Sequence, residues 1–392
     1  MSASIKIGKI FGIPINLHIT FLLILPLFAY LFSDPSGQTE ILGIVLSFKN
    51  LDAATWVKYV FGSLAAVVFF MTILAHELAH SYLALKYGVK IKSITLMVFG
   101  GVSSMEEMPR QPGQEWRMAF AGPLSSLVIG GASYGAMLVL ELVKPGGVII
   151  DGAIILLGLM ALYNILLAGF NMIPAFPMDG GRVLRAFFAT RMTYIEATKK
   201  AARIGRYFAI AMGIFGIFYN FFFILIALFV YIGATEEEHA TTISEGLHGL
   251  TVRQVMSVDV AVVHPDTSIQ QLHDLMLSTR YMGFPVVEGG LVGIVTLSDT
   301  HKVPRDKIQF ARVRDIMTRS VVTVSPEMDA TKALYLMSER RISRLIVMDG
   351  PRIAGIVTQK DFLRAIDVMS AKRQVSHWGQ QFPPEQPPIA PV

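Results

Sequence analysis

The sequence predicts a polytopic α-helical membrane domain of about six spans, with a small membrane-associated β element, followed by a soluble α/β module. The 392-residue chain is 53% hydrophobic and only 16% charged, with a mean hydropathy of +0.53, whereas soluble domains carry about 25% charged residues. The apolar residues are concentrated in five charge-free runs that all precede Glu236: 10–33, 59–76, 118–140, 152–178 and 207–235. The sequence after Glu236 has the composition of an ordinary soluble domain.

Each charge-free run is close to or longer than the roughly 18–20 apolar residues that cross a bilayer as a helix. The last run is long for one helix and is interrupted by Tyr219-Asn220, so we divide it into two spans joined by a tight turn. The N-terminal residues alternate apolar with polar or small side chains, which is typical of a strand. We therefore predict a strand and then six spans, at about 17–33, 59–85, 118–140, 152–171, 200–218 and 221–236.

Lysine and arginine are distributed very unequally between the two sides that six spans define. One side carries Lys49, Lys58 and Lys144, and the other carries Lys6, Lys9, Lys86, Lys90, Lys92, Arg110, Arg117, Arg182, Arg185, Arg191, Lys199, Lys200, Arg203 and Arg206. Because short cytoplasmic loops are rich in basic residues, we predict a multi-pass protein of the cell membrane with both termini and the soluble module in the cytoplasm. Five spans would place the soluble module outside.

The chain contains no cysteine. This excludes disulfides and thiolate ligands, so a bound metal ion would need histidine, aspartate or glutamate. The sequence pI of about 9.2 is explained by the basic cytoplasmic loops, and no nucleic-acid partner is predicted.

An HExxH motif lies inside the second predicted span, at His76-Glu77-Leu78-Ala79-His80. Histidines four residues apart share one helical face and can bind one zinc ion. Glu77 lies about 60° around the helix axis from His80, where it can act as general base toward water at the metal. The alternative is a polar helix–helix contact formed by two neutral histidines and a protonated glutamate. Ionisable groups in the membrane are costly and suggest a function by default, so the motif favours a zinc site.

Catalytic zinc requires three protein ligands and an open position, and Asp179 is the candidate for the third ligand. It follows Pro174 and Pro177, which stop a helix, and precedes Gly180-Gly181, which allow a sharp turn. Non-helical backbone at membrane depth is tolerated only where it is buried in protein or lines a wet cavity. The alternative role for Asp179 is an ordinary helix cap at the cytoplasmic surface.

The segments HELAH (76–80) and NMIPAFPMDGG (171–181) resemble the two signatures of the site-2 protease family of intramembrane zinc metalloproteases. The family's second signature is Asn-x-x-Pro-x-x-Pro-Leu-Asp-Gly, and Met178 stands where leucine is usual. The resemblance covers about 1–240. It implies a catalytic Zn²⁺ ion bound by His76, His80 and Asp179.

The same resemblance implies two catalytic residues. Glu77 would be the general base, and Asn171 would contact the substrate or the oxyanion. For Asn171 the alternative is an interhelical hydrogen bond beside Asn164, two turns earlier.

A protease of this kind must hold an unwound substrate, and the edge of a sheet can do so by strand addition. We predict that SITLMVFGG (93–101) is this edge strand and that the N-terminal IKIGKIFGI (5–13) pairs with it.

The soluble half contains an internal repeat. Residues 252–276 align with 313–337 at an offset of 61, and GIVTLSD (293–299) matches GIVTQKD (355–361) after one inserted residue. This period predicts two copies of one strand–helix–strand–strand–helix unit. The pattern over about 250–368 resembles a tandem pair of CBS repeats, the Bateman module.

The CBS resemblance implies that an adenine nucleotide (ATP, ADP or AMP) binds in the cleft between the repeats. Asp299 and Asp361 would bind ribose hydroxyls, and Thr296 and Thr358 would contact phosphate. The alternative is an empty pair that serves only for dimerisation. We also expect the pair to form a homo-oligomer.

These observations predict a domain order and a function. The order is a protease domain at 1–240, a linker at 241–249, a CBS pair at 250–368 with repeats at 250–305 and 311–368, and a disordered proline-rich tail at 369–392. The predicted function is regulated cleavage, within the lipid bilayer, of a single-span membrane protein by a zinc metalloendopeptidase that adenine nucleotides modulate. The alternative is a CBS-gated transporter or channel, but the membrane half shows neither internal repeats nor polar groups in several spans. An inactive scaffold is opposed by the complete motif set.

Overall fold

The structure, a computed structural model, describes residues 4–33, 40–41, 44–45, 47–97, 100–105, 111–143, 146–304, 308 and 310–381. The chain forms two compact units, Met1–His239 and Ala240–Val392.

Helices make up most of the first unit: α1 (Phe21–Ser33), α2 (Thr55–Lys86), α3 (Pro112–Val143), α4 (Val148–Asn171), α5 (Asp179–Ala189), α6 (Tyr194–Tyr219) and α7 (Phe221–Leu247). Four of the described helices, α2, α3, α4 and α6, are long and apolar enough to cross a membrane. Helix α1 is apolar but has only 13 residues, and the apolar first half of α7 is followed by three glutamates. The helices therefore support a membrane protein, with four candidate spans rather than the six expected.

Helices α6 and α7 are separated by Asn220 alone, at the turn predicted from Tyr219-Asn220. The Phe222 backbone N–H donates to Asn220 Oδ1 at 2.8 Å, so this side chain caps the start of α7. Helix α7 then continues to Leu247, so most of the predicted linker, 241–249, is helical.

A four-stranded sheet lies beside these helices, in the order β1 (Ser4–Ile10), β2 (Ile13–His18), β5 (Ile91–Met97) and β6 (Gly100–Met105). Two short strands, β3 (Glu40–Ile41) and β4 (Ile44–Val45), pair with each other, and a 3₁₀ turn covers Phe48–Asn50. The predicted edge strand was wrong, because β5 pairs with β2 on one side and with β6 on the other. Among the described strands, β6 is the edge on that side, and β1 pairs with β2 rather than with β5.

Strand alternation shows which residues belong to a strand but not which strand lies at the centre of a sheet. Ile13 and Ile15 of β2 are buried, whereas Ile5 and Ile7 of β1 are exposed. The buried strand is therefore the one that pairs with β5.

An aromatic cluster holds α2 against α1 and α4. Phe70 packs edge-on against Phe21 with ring centroids 4.6 Å apart, and Phe69 contacts Phe28 at 5.5 Å and Tyr163 at 5.3 Å. These contacts lie two turns before His76 and so fix the helix that carries the HExxH motif.

The second unit contains the predicted repeat. Its first copy comprises α8 (Val252–Val255), α9 (Ile269–Thr279), β7 (Gly283–Val287), β8 (Leu291–Thr296) and α10 (Leu297–Thr300). Its second copy comprises α11 (Val313–Ile316), β9 (Thr323–Val324), α12 (Ala330–Arg340), β10 (Arg344–Asp349), β11 (Arg352–Thr358) and α13 (Gln359–Gln381).

Contacts between the two copies are reciprocal, which shows their internal two-fold relation. Ser257 bridges Ile356 on the last strand of the second copy, and Thr318 bridges Ile294 on the last strand of the first. Ser257 and Thr318 are 61 residues apart, the offset of the sequence repeat.

The predicted disordered tail begins too early. Helix α13 continues through Gln381, so residues 369–381 are helical. This segment contains no proline, and the prolines of the tail begin at Pro383. The remainder of the predicted tail, 382–392, lies outside the described residues.

Candidate metal centre

Asp179 is brought to α2 by a tight turn. It is the first residue of α5, directly after the segment 172–178. A Cβ on Gly180 would overlap the Ile173 carbonyl, and a Cβ on Gly181 would overlap the Phe176 backbone. Only glycine fits at these two positions, which explains why two glycines follow the aspartate.

Three ligand atoms converge between α2 and α5. His76 Nε2 lies 3.3 Å from Asp179 Oδ2, His80 Nε2 lies 3.0 Å from the same oxygen, and the two Nε2 atoms are 3.1 Å apart. The three residues are buried, with 3%, 4% and 7% of their surface exposed. Among the described residues, these are the histidine and carboxylate groups that could together hold a metal ion.

The far side of each imidazole is fixed by helix α3. His80 Nδ1 lies 2.7 Å from the Met118 carbonyl oxygen, and His76 Nδ1 lies 2.9 Å from Ser126 Oγ. Because a carbonyl can only accept, the His80 proton must be on Nδ1, which leaves the Nε2 lone pair free. Metal-binding histidines are oriented by such outer partners, so α3 prepares both histidines for a metal ion.

The cluster has the dimensions that zinc requires. A tetrahedral Zn²⁺ ion with bonds of about 2.0–2.1 Å holds its ligand atoms about 3.3 Å apart, close to the observed 3.0–3.3 Å. Gly122 of α3 leaves the space that the two histidines need, because a Cβ there would overlap Nε2 of both His76 and His80. Two nitrogen donors and one carboxylate are a zinc ligand set.

Glu77 stands beside the three ligands rather than among them. Its side chain is half-buried and packs on β6, where a Cβ on Gly101 would overlap Glu77 Cγ. Ser81 Oγ lies 3.1 Å from Ser103 Oγ and ties the same strand to α2. The edge strand β6 therefore runs along the helix that carries Glu77.

Among the described residues, Asn171 forms no side-chain hydrogen bond to His76, His80 or Asp179. Its Nδ2 donates to the Leu167 carbonyl at 3.0 Å, and Asn164 Nδ2 donates to the Met160 carbonyl at 2.9 Å. Each asparagine thus bonds to its own helix, and the interhelical bond considered as the alternative is not formed by these donors.

The sequence motifs do not indicate several residues that the structure places at the site. Ser126, Gly122 and the Met118 carbonyl reach the histidines only because α3 packs on α2. The one local sign of this close packing in the sequence is the run of small residues in AGPLSS (121–126). Arg182 lies three residues after Asp179 on α5, and in the sequence it stands out only as one of the basic residues that indicate the topology. Its charge acts on both Glu77 and Asp179, and its buried Nε has no hydrogen-bond partner among the described residues.

The predicted nucleotide contacts have the same local geometry in both repeats. Asp299 Oδ2 accepts from the Thr296 backbone N–H at 3.0 Å and from Thr296 Oγ1 at 2.7 Å. Asp361 Oδ2 accepts from the same two groups of Thr358, at 2.8 and 2.7 Å. In each repeat the aspartate therefore caps the helix that follows the last strand, and one of its oxygens is already used.

Asp299 also lines a cleft of about 550 Å³ together with Lys302, Phe310 and Asp315. Lys302 Nζ donates to Asp299 Oδ1 at 2.8 Å. Burial by itself raises the pKa of the Asp299 carboxyl, but the hydrogen bonds from Lys302 and Thr296 outweigh it and hold that pKa below its ordinary value. The carboxylate is thus charged at neutral pH and can only accept hydrogen bonds.

Arg344 lies next to this carboxylate. Its guanidinium occupies the space where a Cβ on Gly283 would be. Burial lowers the pKa of Arg344, and the charge of Asp299 partly offsets that effect. Gly283 and Arg344 are equivalent in the repeat, 61 residues apart, so the two copies differ at this position.

The fold and the site define a metallopeptidase-type centre in a membrane protein. Residues 64–152 and 139–214 match Peptidase family M50, and residues 252–303 and 313–368 match the CBS domain. A zinc metalloprotease of Methanocaldococcus jannaschii is 37% identical over 96% of this chain and 99% of its own length. The protein Rip3 of Mycobacterium tuberculosis is 31% identical over 94% of each chain.

The chain therefore belongs to Peptidase family M50, the site-2 proteases, and is a zinc metalloprotease that carries two CBS domains. A solved structure of a site-2 protease from Methanocaldococcus jannaschii is 38% identical over 60% of this chain and 95% of its own, with a TM-score of 0.39. The predicted family and enzyme class are confirmed, and the family decides against the transporter alternative.

Replacing Gly122 by alanine should prevent zinc binding, because the added methyl group overlaps both histidine Nε2 atoms. Gly131→Ala is the matched control on the same helix, since a Cβ there meets no atom within 4 Å in the described part of the chain. Elemental analysis of the purified variants should show zinc lost in Gly122→Ala, as in Asp179→Ala, and retained in Gly131→Ala. Full zinc in Gly122→Ala would contradict the position of the metal.

Proposed function

We propose that this protein is an intramembrane protease that cleaves transmembrane-helix substrates at a zinc ion bound by His76, His80 and Asp179. The observation that carries the proposal is the convergence of these three ligand atoms to within 3.3 Å at a helix that is apolar enough to cross a membrane. A metal centre at this depth is needed if the scissile peptide bond itself lies in the bilayer.

The side chains around the cluster divide the chemistry between them. Bound zinc supplies a Lewis acid and lowers the pKa of a coordinated water molecule to about 7. Ser126 and the Met118 carbonyl hold the two imidazoles so that their Nε2 atoms face Asp179. Glu77 lies beside the ligands, where it accepts a proton from the attacking water and delivers a proton to the leaving amine.

The substrate must be extended to expose its peptide bond, since a helix hides that bond in its own hydrogen bonds. Strand β6 offers an edge for strand addition, and its Gly101 packs on Glu77. A substrate strand added to β6 would run past the general base. Asn171 can contact this substrate if its Nδ2 gives up its hydrogen bond to the Leu167 carbonyl and donates to the substrate instead.

We propose the six-span topology with cytoplasmic termini. It is supported by the break between α6 and α7 at Asn220 and by the excess of basic residues on one side of the predicted spans. In this arrangement the start of α6 and the CBS domains lie in the cytoplasm.

We further propose that an adenine nucleotide binds the CBS pair and modulates cleavage. Support comes from the repeated threonine–aspartate geometry, from the cleft at Asp299, and from the cations Lys302 and Arg344 beside it. Carboxylates accept hydrogen bonds from ribose hydroxyls, and cations attract phosphate. A nucleotide shifts activity only if it binds two states of the protein with different affinity.

Glu77→Gln should retain zinc and lose proteolysis, because the three ligands remain while the base is removed. General-base catalysis is worth about 10²–10⁴-fold in rate, so cleavage of a single-span substrate in proteoliposomes should fall by that order. Glu141→Gln, an exposed position near the end of α3, should cleave normally. Wild-type cleavage by Glu77→Gln would exclude the proposed mechanism.

Cysteine labelling in intact cells tests the topology, because the native chain has no cysteine. Lys199→Cys should be protected from a membrane-impermeant maleimide, whereas Gly146→Cys should react. Both should react after permeabilisation. Labelling of Lys199→Cys in intact cells would overturn the orientation.

The double substitution Asp299→Ala and Asp361→Ala should abolish the response of cleavage to ATP, ADP or AMP while leaving basal cleavage intact. Because both aspartates also cap helices, and a lost cap costs about 1 kcal/mol, Asp329→Ala is the control. Asp329 caps α12 by accepting from the Lys332 N–H at 3.0 Å. If calorimetry on the wild-type chain detects no adenine-nucleotide binding, the CBS pair is better regarded as a dimerisation module.

A further inference from the structure

Arg185 is a fully buried cation on the helix that begins with Asp179. It is 1% exposed and lies near the middle of α5. Its guanidinium stacks over Phe176 at 5.1 Å and over Tyr194 at 4.8 Å. Phe176 belongs to the turn that precedes Asp179, so Arg185 contacts the polypeptide on both sides of this metal ligand.

Glu115 connects Arg185 to helix α3. Arg185 Nε donates to Glu115 Oε1 at 2.6 Å, and Arg185 Nη2 lies 2.5 Å from the same oxygen. Glu115 is completely buried and lies in the first turn of α3, one turn before Met118. This ion pair therefore joins the helix that orients both histidines to the helix that supplies Asp179.

Glu237 connects Arg185 to helix α7. Arg185 Nη1 donates to Glu237 Oε1 at 2.6 Å. One turn earlier on α7, a Cβ on Gly233 would overlap the Pro177 ring, and Val230 and Ala234 pack on the same turn. Helix α7 thus packs against the segment that carries Asp179, and Glu237 ties α7 to α5 through Arg185.

Arg185 contacts more elements than an ordinary ion pair does. A guanidinium presents its donors in a rigid fork, and here the fork spans three helices and stacks on the metal-ligand turn. The distance between Asp179 Oδ2 and the two Nε2 atoms depends on how α5 sits against α2 and α3. Arg185 is the side chain that fixes α5 against α3 and α7 together.

We propose that Arg185 is a positioning residue for the metal centre, and that Glu237 is the contact through which α7 controls the placement of Asp179. This inference rests on the proposed metal site. A shift of α7 that releases Glu237 would leave the histidines in place and loosen the carboxylate ligand. Helix α7 would then set both zinc affinity and the rate of cleavage.

The test uses Glu237, because removing Arg185 would leave Glu115 as an unpaired buried charge and destabilise the whole fold. Glu238 provides a matched control on the next residue of α7. Its side chain is 23% exposed against 28% for Glu237, and it forms its own 2.6 Å ion pair with Arg206 of α6. The full-length variants Glu237→Ala, Glu237→Gln and Glu238→Ala are compared with the wild type in detergent.

Zinc affinity is measured by competition with a chromophoric chelator, alongside kcat and KM on a single-span substrate and the thermal midpoint. A side chain that hydrogen-bonds a metal ligand contributes about 10–100-fold to metal affinity. Glu237 acts one contact further out, through Arg185, so Glu237→Ala should raise the zinc Kd by up to about 10-fold and lower kcat with KM unchanged. Glu237→Gln keeps an acceptor for Arg185 and should recover most of the affinity. Glu238→Ala should keep the wild-type zinc Kd.

Equal zinc affinities in Glu237→Ala and Glu238→Ala would overturn the proposal, whether or not their thermal midpoints fall. Zinc affinity is measured without cleavage, so the two proposals fail separately. A wild type that binds zinc but cleaves no substrate would contradict the proposed protease function. The zinc affinities of the variants would still test the role of Arg185.

Discussion

The convergence of two imidazole nitrogens and one carboxylate oxygen among apolar helices is the constraint on which the first unit depends. Three electron-rich atoms at 3.0–3.3 Å repel one another unless a proton or a cation lies between them. Buried ionic groups are tolerated only with such partners. The outer contacts follow from this need, since Met118 and Ser126 on α3 fix which imidazole nitrogens face the carboxylate.

Helix α3 contributes four residues to the centre along little more than three turns. Its first turn carries Glu115, its second carries the Met118 carbonyl, and Gly122 and Ser126 follow at intervals of four residues. The interval of four places successive residues on nearly one face of a helix. One face of α3 therefore combines an ion pair, a carbonyl acceptor, an open space and a hydroxyl, all directed at α2 and α5.

The local parts of this centre could be predicted from the sequence, and the tertiary parts could not. The HExxH spacing and the Pro-Pro-Asp-Gly-Gly order are short-range signals, so the sequence itself predicts His76, His80 and Asp179 as ligands. Gly122 and Ser126 act across a helix interface, and Arg185 resembles any basic residue at a membrane boundary. The edge strand was misassigned because alternation in β5 carries no information about its two neighbours. The prolines that predict a disordered tail begin only at Pro383, so they do not oppose a helix over 369–381.

The two CBS repeats follow one sequence pattern but differ at the equivalent positions Gly283 and Arg344. The guanidinium of the second copy fills the space that the first copy leaves empty. A side chain at position 283 would therefore require the guanidinium of Arg344 to move, which couples the two positions. The pair is therefore asymmetric at these two positions. Two copies of the first repeat would lack this guanidinium, and two copies of the second would place an arginine at position 283 in the space that Arg344 already fills.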